Sequence, residues 1–268
     1  EKGPNYGKNE KNNKKILLEF VSSNPTGPLH VGHGRGAVLG MALSNLLENS
    51  GCEVTKEYYV NDAGRQISIL TSSILTKAYV KDFSAEGMYE GDYIHEIAKE
   101  FLKSNEKIEI ELNSEIFSND KEKRLDEISE YLQKNHNETW NKAKNFSITK
   151  ILDSIKEELH SFNIIHHNWF HESSLGSIEE PASDLSKSLS IIEKADHTFS
   201  KDGAVWFKTT DFKDDKDRVL LRENGEPTYY LTDVGYHKNK IDRGYDLCIN
   251  FFGADHHGYI PRLTAAFD

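Results

Sequence analysis

The sequence predicts an α/β fold: a doubly wound parallel sheet interrupted by a mostly helical insertion. Three observations predict it. An apolar run at 16–21, a helical pattern and a second strand-like run fit within about 45 residues, the size of a right-handed βαβ unit. A long middle stretch carries helical periodicity. After it, short strands, a helix and another apolar run return.

Residues 1–15 are polar and rich in Lys and Asn, without the apolar segment of a secretory leader, and read as a linker. Ile16-Leu17-Leu18-Glu19-Phe20-Val21 has the near-continuous apolar character of a strand covered on both faces. Gly32 to Asn49 follows as a helix with Val38, Leu39, Ala42, Leu43, Leu46 and Leu47 on its apolar side. Gly51 stands where a left-handed C-terminal cap is expected, and Val54 to Val60 is the second strand.

The middle stretch spaces Tyr93, Ile97 and Phe101 by four. Leu125, Ile128 and Leu132 follow at three and four, as do Ile151, Ile155, Leu159 and Phe162. These are helical stripes. Further on, Ala204–Lys208 and Arg218–Leu221 read as strands and Tyr229–Arg243 as a helix ending at Gly244. Leu247–Phe252 is a buried strand, with Gly253 and a helix after it. The expected organisation is a linker at 1–15, the first half of an α/β domain at 16–83, a helical insertion at 84–200 and the return of the first domain at 201–268. The polar start, and a last helix with no terminating residues, suggest a piece of a longer chain.

Composition narrows the function. The 268 residues carry a formal net charge of −11, which argues against a basic nucleic-acid coat. Residues 81–130 alone hold 15 acidic and 7 basic residues, so most of that charge belongs to one window. No stretch approaches the roughly 20 apolar residues of a membrane span. Two cysteines, Cys52 and Cys248, cannot build a disulfide framework or a cysteine zinc site and read as small hydrophobes in a reducing compartment. His166, His167 and His171 read as ordinary histidines, and Trp140, Trp169 and Trp206 as core.

The chemistry lies between the first strand and its helix: Ser22-Ser23-Asn24-Pro25-Thr26-Gly27-Pro28-Leu29-His30-Val31-Gly32-His33-Gly34-Arg35-Gly36. In open α/β sheets ligands bind at strand carboxyl ends, beside helix N-termini whose free N–H groups attract anions. Gly32, Gly34 and Gly36 let a base or phosphate approach the backbone, and His30 and His33 can both donate to phosphate oxygens. A metal site or a pair of capping histidines are the alternative readings of His-x-x-His.

His30-Val31-Gly32-His33 resembles the HIGH motif of class I aminoacyl-tRNA synthetases, and the string from Glu19 to His33 is similar to the arginyl members. Tyr58-Tyr59-Val60-Asn61-Asp62-Ala63-Gly64-Arg65-Gln66, Asp215-Lys216-Asp217-Arg218-Val219-Leu220 and Gly253-Ala254-Asp255-His256-His257-Gly258-Tyr259 also resemble that family's blocks, in its order. The resemblance implies an incomplete Rossmann-type, HUP-like catalytic domain whose insertion is the connective polypeptide. It implies a cytoplasmic, monomeric parent enzyme that joins arginine to ATP and passes the arginyl group to tRNA(Arg). ATP would enter with Mg as substrate, with no tightly bound cofactor, structural metal or membrane partner.

By resemblance, His30 and His33 are catalytic donors to the phosphates, while Gly32, Gly34, Gly253, Asp255 and His256 serve ATP. Ser22 and Asn24 would hold the α-amino and carboxylate groups of arginine. Asp233, one helical turn from Tyr229, would grip the guanidinium with Tyr229 and Glu172 beside it, as a planar fork of donors requires. Glu19 could bind substrate or pair with a neighbour. No KMSKS-type loop occurs before Asp268, so the chain alone is expected to be inactive. A nucleotidylyltransferase with an HxGH loop, or a non-catalytic arginine- or ATP-binding module, are the alternative functions.

Overall fold

Strand β1 (Lys15–Glu19) is apolar on both faces, a pattern stable where both are covered. In the computed structural model, which describes residues 3–81, 83–106, 108–253 and 258–267, Ile16, Leu17, Leu18 and Phe20 are at most 2% exposed. Each such side chain contributes roughly 1.5–3 kcal/mol relative to exposure. The chain then turns through α1 (Val31–Asn49) into β2 (Glu53–Val60), which pairs parallel with β1, Ile16 opposite Val54. The crossover is the predicted βαβ unit. Gly51 closes α1 with φ +94°, and a Cβ there would lie 2.0 Å from the Glu10 carbonyl oxygen.

The chain divides into two compact units, 1–22 with 34–59 and 166–268, and 23–33 with 60–165. In the second, four helices enclose a core of Ile69, Leu75, Phe101, Ile128, Leu132 and Trp140: α2 (Gly64–Tyr79), α3 (Asp92–Ser104), α4 (Lys121–Asn135) and α5 (Asn137–Ser161). The helical stripes at 93–101, 125–132 and 151–159 fall on these helices. Phe162 departs from its stripe and is 70% exposed, because α5 ends one residue earlier.

Among the described residues the first unit holds two sheets. β3 (Asn168–His171), β2, β1 and β7 (Leu247–Asn250) form one, in that order, with β7 parallel to β1. β4 (Thr198–Lys201), β5 (Ala204–Phe207) and β6 (Arg218–Leu221) form a separate antiparallel sheet. The predicted strands at 204–208 and 218–221 therefore form, but as a short meander whose close turns suit antiparallel pairing. α6 (Asp184–Lys194) and α7 (Tyr229–Asp242) share a core with it through Leu189, Ile192, Phe207, Leu220, Leu231 and Val234. α8 (Ile260–Phe267) is the last described element. The limits expected for the insertion, 84–200, differ from those of the helical unit: α2 belongs with α3–α5, and 166–200 supply β3, α6 and β4 to the other unit.

The apolar side predicted for α1 is not its packing face. Val38, Leu39 and Leu46 are more than half exposed, while Ala37, Gly40 and Ser44 are buried. The reason is proximity. A Cβ on Gly40 would lie 2.2 Å from the Phe20 ring, so small residues are what this contact admits.

Candidate active site

The loop after β1 opens with two non-glycine residues in left-handed conformation, Val21 at φ +71° and Ser22 at φ +42°. For a β-branched valine that is costly, of order 1–3 kcal/mol, and such strain persists where surrounding contacts impose it. One such contact is in place. Ser22 Oγ accepts from the Tyr59 backbone N–H at 3.0 Å, which ties the end of β1 to β2.

Asn24, His30, Gly32 and His33 belong to the helical unit. Asn24 Nδ2 donates to Gln66 Oε1 at 2.8 Å on α2, and the Tyr93 hydroxyl of α3 donates to the Thr26 carbonyl at 2.9 Å. The two histidines stack, with centroids 3.8 Å apart and planes 23° from parallel. His30 Nδ1 accepts from the Gly32 N–H at 3.1 Å, and His33 Nδ1 accepts from the His30 N–H at 3.2 Å. With both Nδ1 atoms occupied as acceptors, each neutral ring carries its proton on Nε2 and offers it away from the backbone. Burial, with His30 next to it, holds the His33 pKa below the ordinary imidazole value against the opposing pull of Glu158. A Cβ on Gly32 would sit 2.8 Å from the His30 ring, so glycine is what permits the stack.

Ser22, Glu172, Tyr229 and Asp233 belong to the other unit. Tyr229 starts α7 and is half exposed; Asp233 follows one turn later and is partly buried. Burial raises the Asp233 pKa to about 7; Glu172 and Glu19 add to the rise, while a hydrogen bond from Tyr259 and the Lys240 charge oppose it. Glu172 accepts from the Tyr59 hydroxyl at 2.6 Å, and burial beside that carboxylate pushes the Tyr59 pKa up. A pair of carboxylates close enough to feel each other, each bonded by a phenol, suits a delocalised cation.

Behind them lies a buried network that sequence reasoning did not identify. Glu19 pairs with Lys240 and accepts from the Tyr236 hydroxyl at 3.1 Å. Its strand carboxylate is therefore engaged by neighbours. Glu57, wholly buried, accepts from Arg243 at 2.5 and 2.9 Å, from Tyr236 at 2.7 Å and from Asn168 at 2.6 Å. Burial alone would raise its pKa, but these donors hold it below the usual carboxylate value. The sequence did contain a signal for Tyr236 and Lys240: with Tyr229 and Asp233 they recur at three- and four-residue spacing along one predicted helix.

Gly34 and Gly253 are exposed, Gly36 partly so. Asp255 and His256, expected at the nucleotide, lie outside the described residues, as does His257. Among the described residues no group of three or more His, Cys, Asp or Glu could hold a metal ion, and no helix is long and apolar enough to cross a membrane. His166 Nε2 lies 3.2 Å from the Phe20 carbonyl, and burial pushes its pKa down to about 4; His167 Nδ1 accepts from the Lys56 N–H at 3.2 Å. Trp140 is buried, whereas Trp169 and Trp206 are partly exposed.

Comparison with known proteins identifies the family. Residues 1–265 match the family model described as tRNA synthetases class I (R), catalytic domain. An arginine–tRNA ligase from Psychrobacter cryohalolentis is 43% identical over 94% of this chain and 44% of its own length. One from Legionella pneumophila is 42% identical over 99% of this chain and 47% of its own. An arginyl-tRNA synthetase structure from Campylobacter jejuni superposes with a TM-score of 0.79 at 35% identity, covering 99% of this chain and 54% of that one. The chain thus spans less than half the length of these curated relatives. It belongs to the catalytic-domain family of the class I tRNA synthetases for arginine.

Proposed function

We propose that the protein of which this chain is part activates arginine with ATP and transfers the arginyl group to tRNA(Arg). The observation that carries the arginine assignment is the placement of Glu172 close enough to raise the pKa of Asp233, with the Tyr59 hydroxyl on Glu172 and that of Tyr259 on Asp233. A guanidinium satisfies both carboxylates at once. The family match supports ATP and tRNA as the other substrates.

In the first step the arginine carboxylate oxygen forms a bond to the α-phosphorus of ATP. The bond from that phosphorus to the bridging oxygen breaks, and pyrophosphate leaves. No enzyme nucleophile is needed; positioning and stabilisation of developing charge carry the rate. His30 and His33 donate Nε2–H groups to the phosphates, and Gly32, Gly34 and Gly253 leave room for the nucleotide, with Asp255 and His256 assigned to the same ligand. Asp233, Glu172 and Tyr229 bind the guanidinium; Ser22 and Asn24 hold the α-amino and carboxylate groups. Magnesium arrives with ATP as part of the substrate, and the site of action is the cytoplasm, with a monomeric enzyme.

Calorimetry with arginine, lysine and citrulline tests the assignment. Arginine should bind, citrulline should not, and Asp233→Ala should abolish arginine binding without unfolding the chain. Unchanged binding in Asp233→Ala breaks it. Arginine-dependent ATP–pyrophosphate exchange with tRNA present tests the reaction in the complete protein.

A further inference from the structure

Asp233, His237 and Lys240 stand four and three residues apart on α7 and share one face. Lys240 is 1% exposed. Its ammonium donates to Glu19 on β1 and, at 2.5 Å, to Asn250 Oδ1 at the end of β7, and it lies 4.1 Å from the Tyr236 ring centroid. An amide whose oxygen accepts from a lysine presents its NH₂ group on the other side. Asn250 Nδ2 is 3.3 Å from His237 Nε2, which must then be unprotonated to accept. The ring proton is left on Nδ1, and that atom donates to the Asp233 carbonyl at 2.9 Å. Each link fixes the direction of the next, from a buried ammonium to the backbone of the residue assigned to the guanidinium.

We propose that Lys240, Asn250 and His237 form a directional hydrogen-bond relay, anchored on Glu19, that sets the rotation of α7 and holds Asp233 in register for arginine. They are positioning residues. The inference rests on the arginine reading above, and it gives Glu19 a role: it anchors the relay through Lys240. The relay needs a neutral His237. Burial, with the Lys240 charge second, holds that imidazole below its ordinary pKa; the Asp233 carbonyl and the Glu19 charge pull the other way. Asn250 on β7 and Phe267 on α8, which also face the ring, are uncharged.

Steady-state aminoacylation by the complete protein at a series of pH values tests it. Asn250→Ala cuts the middle link, so KM for arginine should rise about tenfold while kcat falls less than about threefold. Asn250→Asp is sharper. Its carboxylate still accepts from Lys240 but cannot donate, so the chain of bonds closes when His237 is protonated. The ratio of its arginine KM to that of the parent should therefore be near one at pH 6 and climb to about tenfold at pH 8.5. An added carboxylate acting on Asp233 through space alone would move that ratio the opposite way.

A flat or falling ratio in Asn250→Asp overturns the relay, as does an unaltered KM in folded Asn250→Ala. If Asn250→Ala fails to fold, the Asn250→Asp ratio decides alone. Loss of arginine binding in Asp233→Ala together with a flat ratio rejects the relay and keeps the arginine reading; normal arginine binding in Asp233→Ala rejects the reading itself.

Discussion

The Tyr59 phenol donates to Glu172 Oε2 at 2.6 Å, joining the second strand to the turn that follows β3. A donor on that oxygen favours the charged carboxylate, and the charge is one reason why Asp233 resists ionisation. The two acids are thus coupled before any substrate arrives.

Arginine affinity should consequently depend on pH. Binding a guanidinium favours ionised Asp233, whose pKa in the free protein is raised to about 7. Affinity should rise with pH through that value, and calorimetry should find it about tenfold weaker at pH 6 than at pH 8. In the absence of arginine the sign reverses for stability. The folded state holds this proton more tightly than the unfolded chain, so the carboxyl's contribution to stability falls as pH rises from about 4 to 7. Asp233→Asn should raise Tm relative to the parent at pH 8 and leave it little changed at pH 4.

Arg243→Met would strand a wholly buried Glu57 without its cation, and should destabilise by roughly 3–5 kcal/mol in denaturant unfolding. Glu57→Gln in the same background should recover part of that loss. The Glu57 pKa is below the ordinary value, so its contribution is present above pH 4.5 and lost as pH falls through the folded pKa.

Removing either imidazole of the stacked pair should slow adenylate formation by about 10²–10³ in single-turnover assays of the complete protein, as for loss of a transition-state donor. Arginine affinity should hold. Gly32→Ala should reproduce part of the effect, because its methyl group would meet the His30 ring at 2.8 Å and displace it.

Gly40→Ala places a methyl group 2.2 Å from the Phe20 ring. Overpacking of this kind costs about 1–3 kcal/mol. Thermal unfolding should register it at about 2–4 °C per kcal/mol.

The βαβ unit was legible because its signals are local: the unbroken apolar run of β1, a helical pattern with a glycine after it, and a second run of strand formers. β5, β6, α7 and β7 were legible for the same reason, although β7 stops at Asn250 and is not the buried strand expected over Leu247–Phe252, since Leu247 and Phe252 are both exposed. β3, β4 and α2 were not legible. Asn168–His171 and Thr198–Lys201 are four residues each and show no clean alternation. α2 carries Ser68, Thr71, Ser72, Ser73 and Thr76, residue types that compete with the backbone and weaken a helical signal. The fold resolves that conflict by bonding Thr71, Ser72 and Ser73 to carbonyls one turn back, with Ser72 also 2.9 Å from Ser129 on α4. In the site, a motif exposes the residues that would touch substrate. The residues behind them, such as Lys240 and Asn250, act through partners more than two hundred or only ten positions away, a relation that spacing does not encode.

The face-to-face arrangement of His30 and His33 has an electrical consequence. Two imidazolium rings with centroids 3.8 Å apart would repel strongly, so the stack disfavours a double positive charge, and with each Nδ1 accepting a backbone N–H the pair faces outward through N–H dipoles. The contact proposed for it with a triphosphate would then be short-ranged and directional, and added potassium chloride should weaken it far less than it would weaken a pair of lysines in the same place.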